Sequence, residues 1–391
     1  MVSNTVNEGM TRVKIKPEML RWARDRSRVD ELVLAARFPQ LDAWTRGEKD
    51  PTFKQLESFA KATHTPIGFL FLPAPPVERV PIPDLRTVKN KSIAAPSPDL
   101  LETIYQCQQR QEWYRDYARW MGDAPLDFVG SVSLGDDVGE VAARMRKVLR
   151  LDIDERRKLP TWTDALRRLI EQADAVGVLV MVSGVVGSDN HRKLDPDEFR
   201  GFALADSLAP LIFINGSDSK AAQMFTIAHE LVHLWLGESA LSNLEMTAKA
   251  TNDIERFCDQ VAAELLAPLA LIASEFDEDR DLDEEVDRLA RHFKVSSLVI
   301  LRRLHDARKL TRDEYWAAYR REVARFAERK TSGGGDFYLT LGARAGKRFA
   351  RAVVTSALEG RSPFTEAFRL LGFRKMSTFD ELGRTLGVLA R

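Results

Sequence analysis

Cysteine is nearly absent. Two residues in 391, Cys107 and Cys258, cannot make a disulfide framework, and they fall in separate predicted helices. This excludes the small disulfide-stapled secreted folds and points to a reducing cytoplasm. No run of about 18 apolar residues occurs, and no charged-then-apolar leader occupies Met1 to Asn7, so neither a membrane span nor a signal peptide is expected. Net charge is missing too. With 58 basic side chains against 58 acidic ones, no global field draws the chain to nucleic acid or membrane, and any such contact must be local. What remains is globular composition, 44% hydrophobic and 30% charged, in a length suited to two or three domains.

The stretch around which the rest is organised is Asp218 to Gly237, DSKAAQMFTIAHELVHLWLG. It reads as one helix, with Asp218 as N-cap and Gly237 ending it. Between Ala221 and Leu236 the only formal charge is Glu230. An ionisable group inside an apolar helix needs solvent or a partner. The spacing supplies one: His229 and His233, four apart, lie on one face of adjacent turns, where two nitrogens can converge on a metal ion. Glu230 is displaced from that face but close enough to take a proton from a water activated by the ion. HELVH is the HExxH arrangement of zinc hydrolases. The plain alternative is a buried helix with two hydrogen-bonded histidines.

A second helix downstream has matching chemistry. In Asn252 to Pro268, NDIERFCDQVAAELLAP, residues Glu255, Asp259, Ala262 and Leu266 share one stripe. Glu255 is the candidate third ligand, and Asp259 the acceptor that orients a ligating histidine. Glu264, nine residues from Glu255, lies about 180° round the helix, so only one of the two can face the ion. Glu255 is preferred because Asp259 sits one turn away. Cys258, beside Asp259, reads as a buried inert thiol rather than a sensor of metal or oxidant.

IFINGSDSKAAQMFTIAHELVHLWLG followed by IERFCDQVAAELLAP resembles the ImmA/IrrE family of metallo-endopeptidases, over about Phe199 to Pro268. The resemblance implies a gluzincin-like zinc core with His229, His233 and Glu255 as ligands to Zn2+ and Glu230 as general base. It also implies a Cro/repressor-type DNA-binding domain alongside that core, and a protein substrate, a transcriptional repressor, cut during stress or transfer of mobile elements.

From Lys16 onward, short helical patterns follow one another: Met19 to Ala23, Leu32 to Ala36, Leu41 to Trp44 closed by Gly47, and a fourth opened by Asp50-Pro51-Thr52. WTRGEKDPTFKQLESFAKATHTP resembles Cro/repressor-type helix-turn-helix (XRE) domains, over about Lys16 to Pro66. Residues 12–64 carry twelve Lys or Arg against eight Asp or Glu, a modest attraction for phosphate. Gln40, Asp42, Thr45 and Arg46 are the polar side chains a recognition helix would offer to bases. Arg37-Phe38-Pro39 departs from the usual turn, which leaves dimerisation or substrate docking as the rival role. IGFLFLPAPP reads as a strand or packed turn, VPIPDLRT as extended, and Lys89 to Pro98 as linker.

Helices are expected over Asp99 to Met121, Asp136 to Leu149 and Thr163 to Ala173, and strands over Val178 to Val186, Phe199 to Leu204 and Pro210 to Asn215. Leu211, Ile212, Phe213, Ile214 and Asn215, feeding straight into the metal helix, form the candidate edge strand for an extended substrate. His191 reads as a solvated loop residue, and His64, His292 and His305 as structural. Val286 to His305 and Glu314 to Lys330 continue as helices, then TSGGG as a linker. Phe337 to Arg391 has ten basic residues against four acidic, a second candidate docking or nucleic-acid module.

The fold expected is α+β, mainly α: a helix-turn-helix bundle over 1–76, an extended linker over 77–98, a zinc metallopeptidase domain over 99–310, a helix and Gly-rich linker over 311–336, and a basic helical module over 337–391. The function expected is zinc-dependent proteolysis of a regulator. The alternative is a DNA-binding regulator or antitoxin, with a homodimer through its bundle as the partner reading, whose zinc core is structural or sensory.

Overall fold

The computed structural model describes residues 12–85, 95–242, 253–328 and 342–390. They fall into two compact units, 1–81 with 94–102 and 82–93 with 103–391. The TSGGG linker and most of the Lys89 to Pro98 linker lie outside the described residues.

The first unit holds four short helices, α1 (Pro17–Ser27), α2 (Glu31–Arg37), α3 (Leu41–Arg46) and α4 (Phe53–Ala62). Met19, Leu20, Leu34, Phe38, Trp44, Leu56 and Phe59 meet in one core. Gly47 ends α3 at φ 77°, a left-handed conformation that glycine adopts without steric cost. Helix α4 starts later than the Asp50-Pro51 signal implies. Thr52 is its N-cap, because Thr52 and Gln55 form a reciprocal capping box that satisfies two otherwise unpaired backbone donors. Ile67–Phe71 is a single 3-10 turn rather than a strand.

The second unit is built on a four-stranded sheet. β1 (Leu179–Ser183), β2 (Gly201–Leu204), β3 (Leu211–Asn215) and β4 (Ala240–Ser242) stand in the order β1-β3-β2-β4. β1 and β3 run parallel, Val180 opposite Ile212. β2 is antiparallel to both β3 and β4. β3 is therefore interior, fully buried and hydrogen-bonded on both sides, so Leu211 to Asn215 cannot serve as an edge for substrate. Its unbroken apolar run is what a strand covered on both faces requires. The outer side of β4 is also engaged: Leu85 N donates to Leu241 O at 3.0 Å and Leu241 N to Pro83 O at 2.9 Å.

One face of the sheet, with Val180, Ala203, Ile212 and Ile214, joins the main core. That core also takes in α8 (Trp162–Ala175) and α9 (Lys220–Leu236). On the alternate positions Phe202 stacks on Phe213 at 5.1 Å. Met181 there meets Cys107 and Arg110 of α5 (Pro98–Met121). Gln111 of the same helix donates to the Leu204 and Ala209 carbonyls, at 2.8 and 2.9 Å, and pins α5 over the β2–β3 turn.

Around this lie α6 (Val138–Leu149), α7 (Ile153–Arg157), α10 (Asp253–Leu266) and α11 (Leu269–Glu275). They are followed by α12 (Leu282–Phe293), α13 (Ser297–Asp306) and α14 (Arg312–Glu328). The continuous helix expected over Val286 to His305 is broken: Lys294 is left-handed at φ 54°, and Ser296 caps a new helix by accepting from Val299 N. Among the described residues, no single helix is long and apolar enough to cross a membrane.

The C-terminal helices α15 (Lys347–Leu358), α16 (Phe364–Leu371) and α17 (Met376–Thr385) complete this same unit. Arg110, fully buried, donates to the Leu370 and Arg344 carbonyls. Gly346, at φ 78°, sits where an added Cβ would lie 2.7 Å from the Val180 carbonyl of β1. Backbone on backbone cannot yield there, so only glycine allows the approach. Gly346→Ala should therefore cost at least about 1–2 kcal/mol and lower the melting temperature. An unchanged melt would mean that α15 does not depend on this contact.

Candidate metal centre

Helix α9 is buried nearly all round. Ser219 is its N-cap, accepting from Ala222 N, one residue after the position read from sequence, and Gly237 ends it at φ 74°. Met224, Phe225, Ile227, Leu231, Val232, Leu234 and Trp235 anchor it. At about 1.5–3 kcal/mol for each large apolar side chain, this burial outweighs the cost of holding three ionisable groups, His229, Glu230 and His233, at zero exposure.

Helix α10 packs against α9 and brings Glu255 and Asp259 to it. His229 Nδ1 lies 3.0 Å from Asp259 Oδ1, and its Nε2 lies 3.4 Å from Glu255 Oε2. His233 Nε2 is 3.1 Å from both His229 Nε2 and Glu255 Oε1. A proton on His229 Nδ1, donated to Asp259, fixes the tautomer that turns the Nε2 lone pair inward. Two nitrogens and a carboxylate then converge on one point. A tetrahedral ion with bonds of about 2.0–2.1 Å has ligand atoms about 3.3 Å apart. The separations of 3.1 and 3.4 Å fit that edge, so the donor set suits zinc.

Glu264 is engaged elsewhere. Its carboxylate pairs with Arg303 and accepts from Leu269 N at 3.2 Å, on the far side of α10. The end of α10 is clamped by three arginines from three helices: Arg146 donates to the Glu264 carbonyl at 2.8 Å, Arg156 to Leu266, and Arg303 to Ala267 at 2.8 Å. Cations on the last carbonyls of a helix suit its dipole, and they hold Glu255 and Asp259 in register with the histidines.

The electrostatics call for a cation. Burial alone would push the His229 ring down, but Glu255 and Asp259 outweigh it and hold the ring well above its ordinary value. Burial would raise Glu255, yet the two histidines bring it down to about 2. His233 is lowered, burial prevailing over the pull of Glu255. Glu230 differs: burial, helped by the Glu255 charge, lifts it to about 8. Neither of its oxygens has a hydrogen-bond partner among the described residues. Gly201 of β2 makes room for it, since a Cβ there would stand 2.6 Å from Thr226 Cγ2 and 3.1 Å from Glu230 Oε1. Ser242 of β4 lies near enough to lower its pKa, though its hydroxyl forms no hydrogen bond among the described residues. An unpaired, water-excluded carboxylate beside a cation site is equipped to accept and return a proton.

Sequence reasoning missed Gly201, which carries no local signal. Cys258 is buried, as its sequence reading held, and its Sγ and one ring nitrogen each of His229 and His233 all lie within 4.8 Å of one another.

The other expected residues lie elsewhere. Thr45 is buried, with its hydroxyl on the Asp42 carbonyl and its own carbonyl taken by Arg21, so it cannot reach a base edge. Arg46 is exposed but paired with Glu48 at 3.0 Å, and Gln40 precedes α3 half-buried. His191 is exposed on a turn.

Residues 173–305 match the family described as the IrrE N-terminal-like domain, a peptidase family. This match supports the ImmA/IrrE resemblance and a metallopeptidase-like role for that segment. Residues 345–385 match a domain of unknown function (DUF8813). No curated protein matches the chain.

Two outcomes follow. Glu255→Ala should lose bound metal, whereas Glu264→Ala should keep it and lose roughly 3 kcal/mol of stability through the unpaired Arg303; metal content and thermal melts on both variants would separate the roles, and the reverse pattern would contradict the assignment. For Glu230, an unfolded carboxyl near 4.5 against about 8 when folded means that the folded chain holds the extra proton between those values, so stability falls as pH rises. Chelated wild type should lose roughly 3 kcal/mol more than chelated Glu230→Gln between about pH 5.5 and pH 8. Equal losses would show that Glu230 is not held protonated by burial.

Proposed function

We propose that the chain is a zinc-dependent endopeptidase that cuts a protein substrate. The observation that carries this is the tetrahedral-edge spacing of His229, His233 and Glu255, with the Glu230 carboxylate beside it, which has no hydrogen-bond partner among the described residues. When bound, zinc supplies a Lewis acid for a peptide carbonyl and makes water acidic enough to attack near neutral pH.

The chain's own residues do the rest. His229 and His233 present neutral nitrogens from adjacent turns of α9, and Asp259 holds His229 in the required tautomer. Glu255 supplies the negative charge that makes the set select a divalent cation. Glu230 takes the proton of the attacking water and returns it to the leaving nitrogen. Burial lifts the Glu230 carboxyl to about 8; with a cation held by the histidines it would be ionised more readily and able to act as the base for the first step.

The substrate class we propose is a transcriptional repressor, cut to release the genes it holds, with residues 12–76 as a module for DNA or for docking that repressor, and the cytoplasm as compartment. Two buried free thiols support that compartment. The charge balance of 12–64 supports only a modest phosphate contact, so cleavage is the primary reading and DNA binding accessory to it.

Glu230→Gln should retain its zinc and lose cleavage of a purified repressor by roughly 10²–10⁴-fold. Retained cleavage would remove Glu230 from the reaction. No cleavage of any repressor by the zinc-loaded wild type, alongside a salt-dependent shift of operator DNA, would favour a regulator whose zinc core is structural or sensory.

A further inference from the structure

Resting on the metal-centre reading above, we propose that Cys258 is a fourth protein ligand, a thiolate that closes the resting centre and must leave its position before a substrate carbonyl or water takes it. On α10, Glu255, Cys258 and Asp259 stand at i, i+3 and i+4, which share one helix face. The two flanking residues both engage His229 of α9, and Glu255 engages His233 as well. Cys258 lies beside Glu255 on this face, and its Sγ forms a cluster within 4.8 Å with a ring nitrogen of each of the same two imidazoles.

A sulfur bound at about 2.3 Å beside nitrogens at about 2.1 Å stands about 3.6 Å from them, so the cluster needs to contract by no more than about 1.2 Å to hold one ion. Cys258 has no exposure to solvent and belongs to the core that also holds Phe257, Val261 and Ala262. A cation bound at the two imidazoles would favour the thiolate, whose proton is released as the metal–sulfur bond forms. Four protein ligands make a closed site and three leave one position open. The same centre would thus have a sealed state and a working state that differ in one bond.

Cobalt(II) in place of zinc reads this directly in the full-length protein. A cobalt centre shows weak visible ligand-field bands whatever its donors, and an intense near-ultraviolet charge-transfer band only when a thiolate is bound. Wild type should show both. Cys258→Ser should keep the visible bands, lose the near-ultraviolet band and bind metal at least about tenfold more weakly in chelator competition. The chain has only two cysteines, so Cys107→Ser decides the matter even where Cys258→Ser does not fold: the band persisting there can come only from Cys258, and its loss would overturn the assignment. Visible bands in wild type without the charge-transfer band would also overturn it, while leaving the metal centre standing. Absence of any bound cobalt or zinc in wild type would remove the metal-centre reading and this proposal together.

Discussion

Two imidazole nitrogens and a carboxylate facing one another at 3.1 to 3.4 Å, shut away from water, demand a positive charge among them. Much else in the second unit can be read as meeting that demand. Helix α9 is apolar on every side because it must bury the histidines without letting solvent supply the charge instead. Helix α10 answers with Glu255 on the near face and three arginines gripping its far end. Asp259 sets the tautomer that makes His229 a ligand rather than a donor. Without a cation, a proton held on His229 well above its ordinary pKa takes its place, an incomplete substitute.

Glu230 belongs to the same region but is governed by a different effect. Where Glu255 is pulled down by the imidazoles, Glu230 is driven up by burial, so two carboxyl groups on neighbouring helices rest in opposite protonation states. Groups whose surroundings separate them in this way divide ligand work from proton work. Gly201 and Ser242, paired across β2 and β4, form the surface against which Glu230 rests. The sheet thus contributes to the site through a missing side chain and one hydroxyl.

The metal helices were largely legible in the sequence because their information is local. HELVH fixes an angle between side chains, the 180° separation of Glu255 from Glu264 allows only one of them to face the ion, and Asp259 one turn away favours Glu255 before any tertiary contact is known. Non-local features were not legible. Whether LIFIN lies at an edge or inside a sheet depends on β1, which precedes β2 in the chain yet pairs with the side of β3 that β2 leaves open, and its composition is that of any strand covered on both faces. Thr45 has the polarity of a base-reading residue, but the packing around Trp44 and Arg21 buries it. Lys294 breaks a helix with a left-handed residue that no propensity scale anticipates. The basic count of the C-terminal segment suggested an independent module, yet its helices are tied to the sheet through Gly346 and Arg110.

Diffraction data collected just above and just below the zinc absorption edge, from crystals of the full-length protein purified without added chelator, test the central claim most directly. The account predicts a single strong anomalous peak that vanishes below the edge and lies between His229 Nε2, His233 Nε2 and the Glu255 carboxylate, at about 2.0–2.2 Å from each. Well-ordered crystals of zinc-treated protein with no peak at that point, and with the two imidazoles bonded to each other instead, would contradict it.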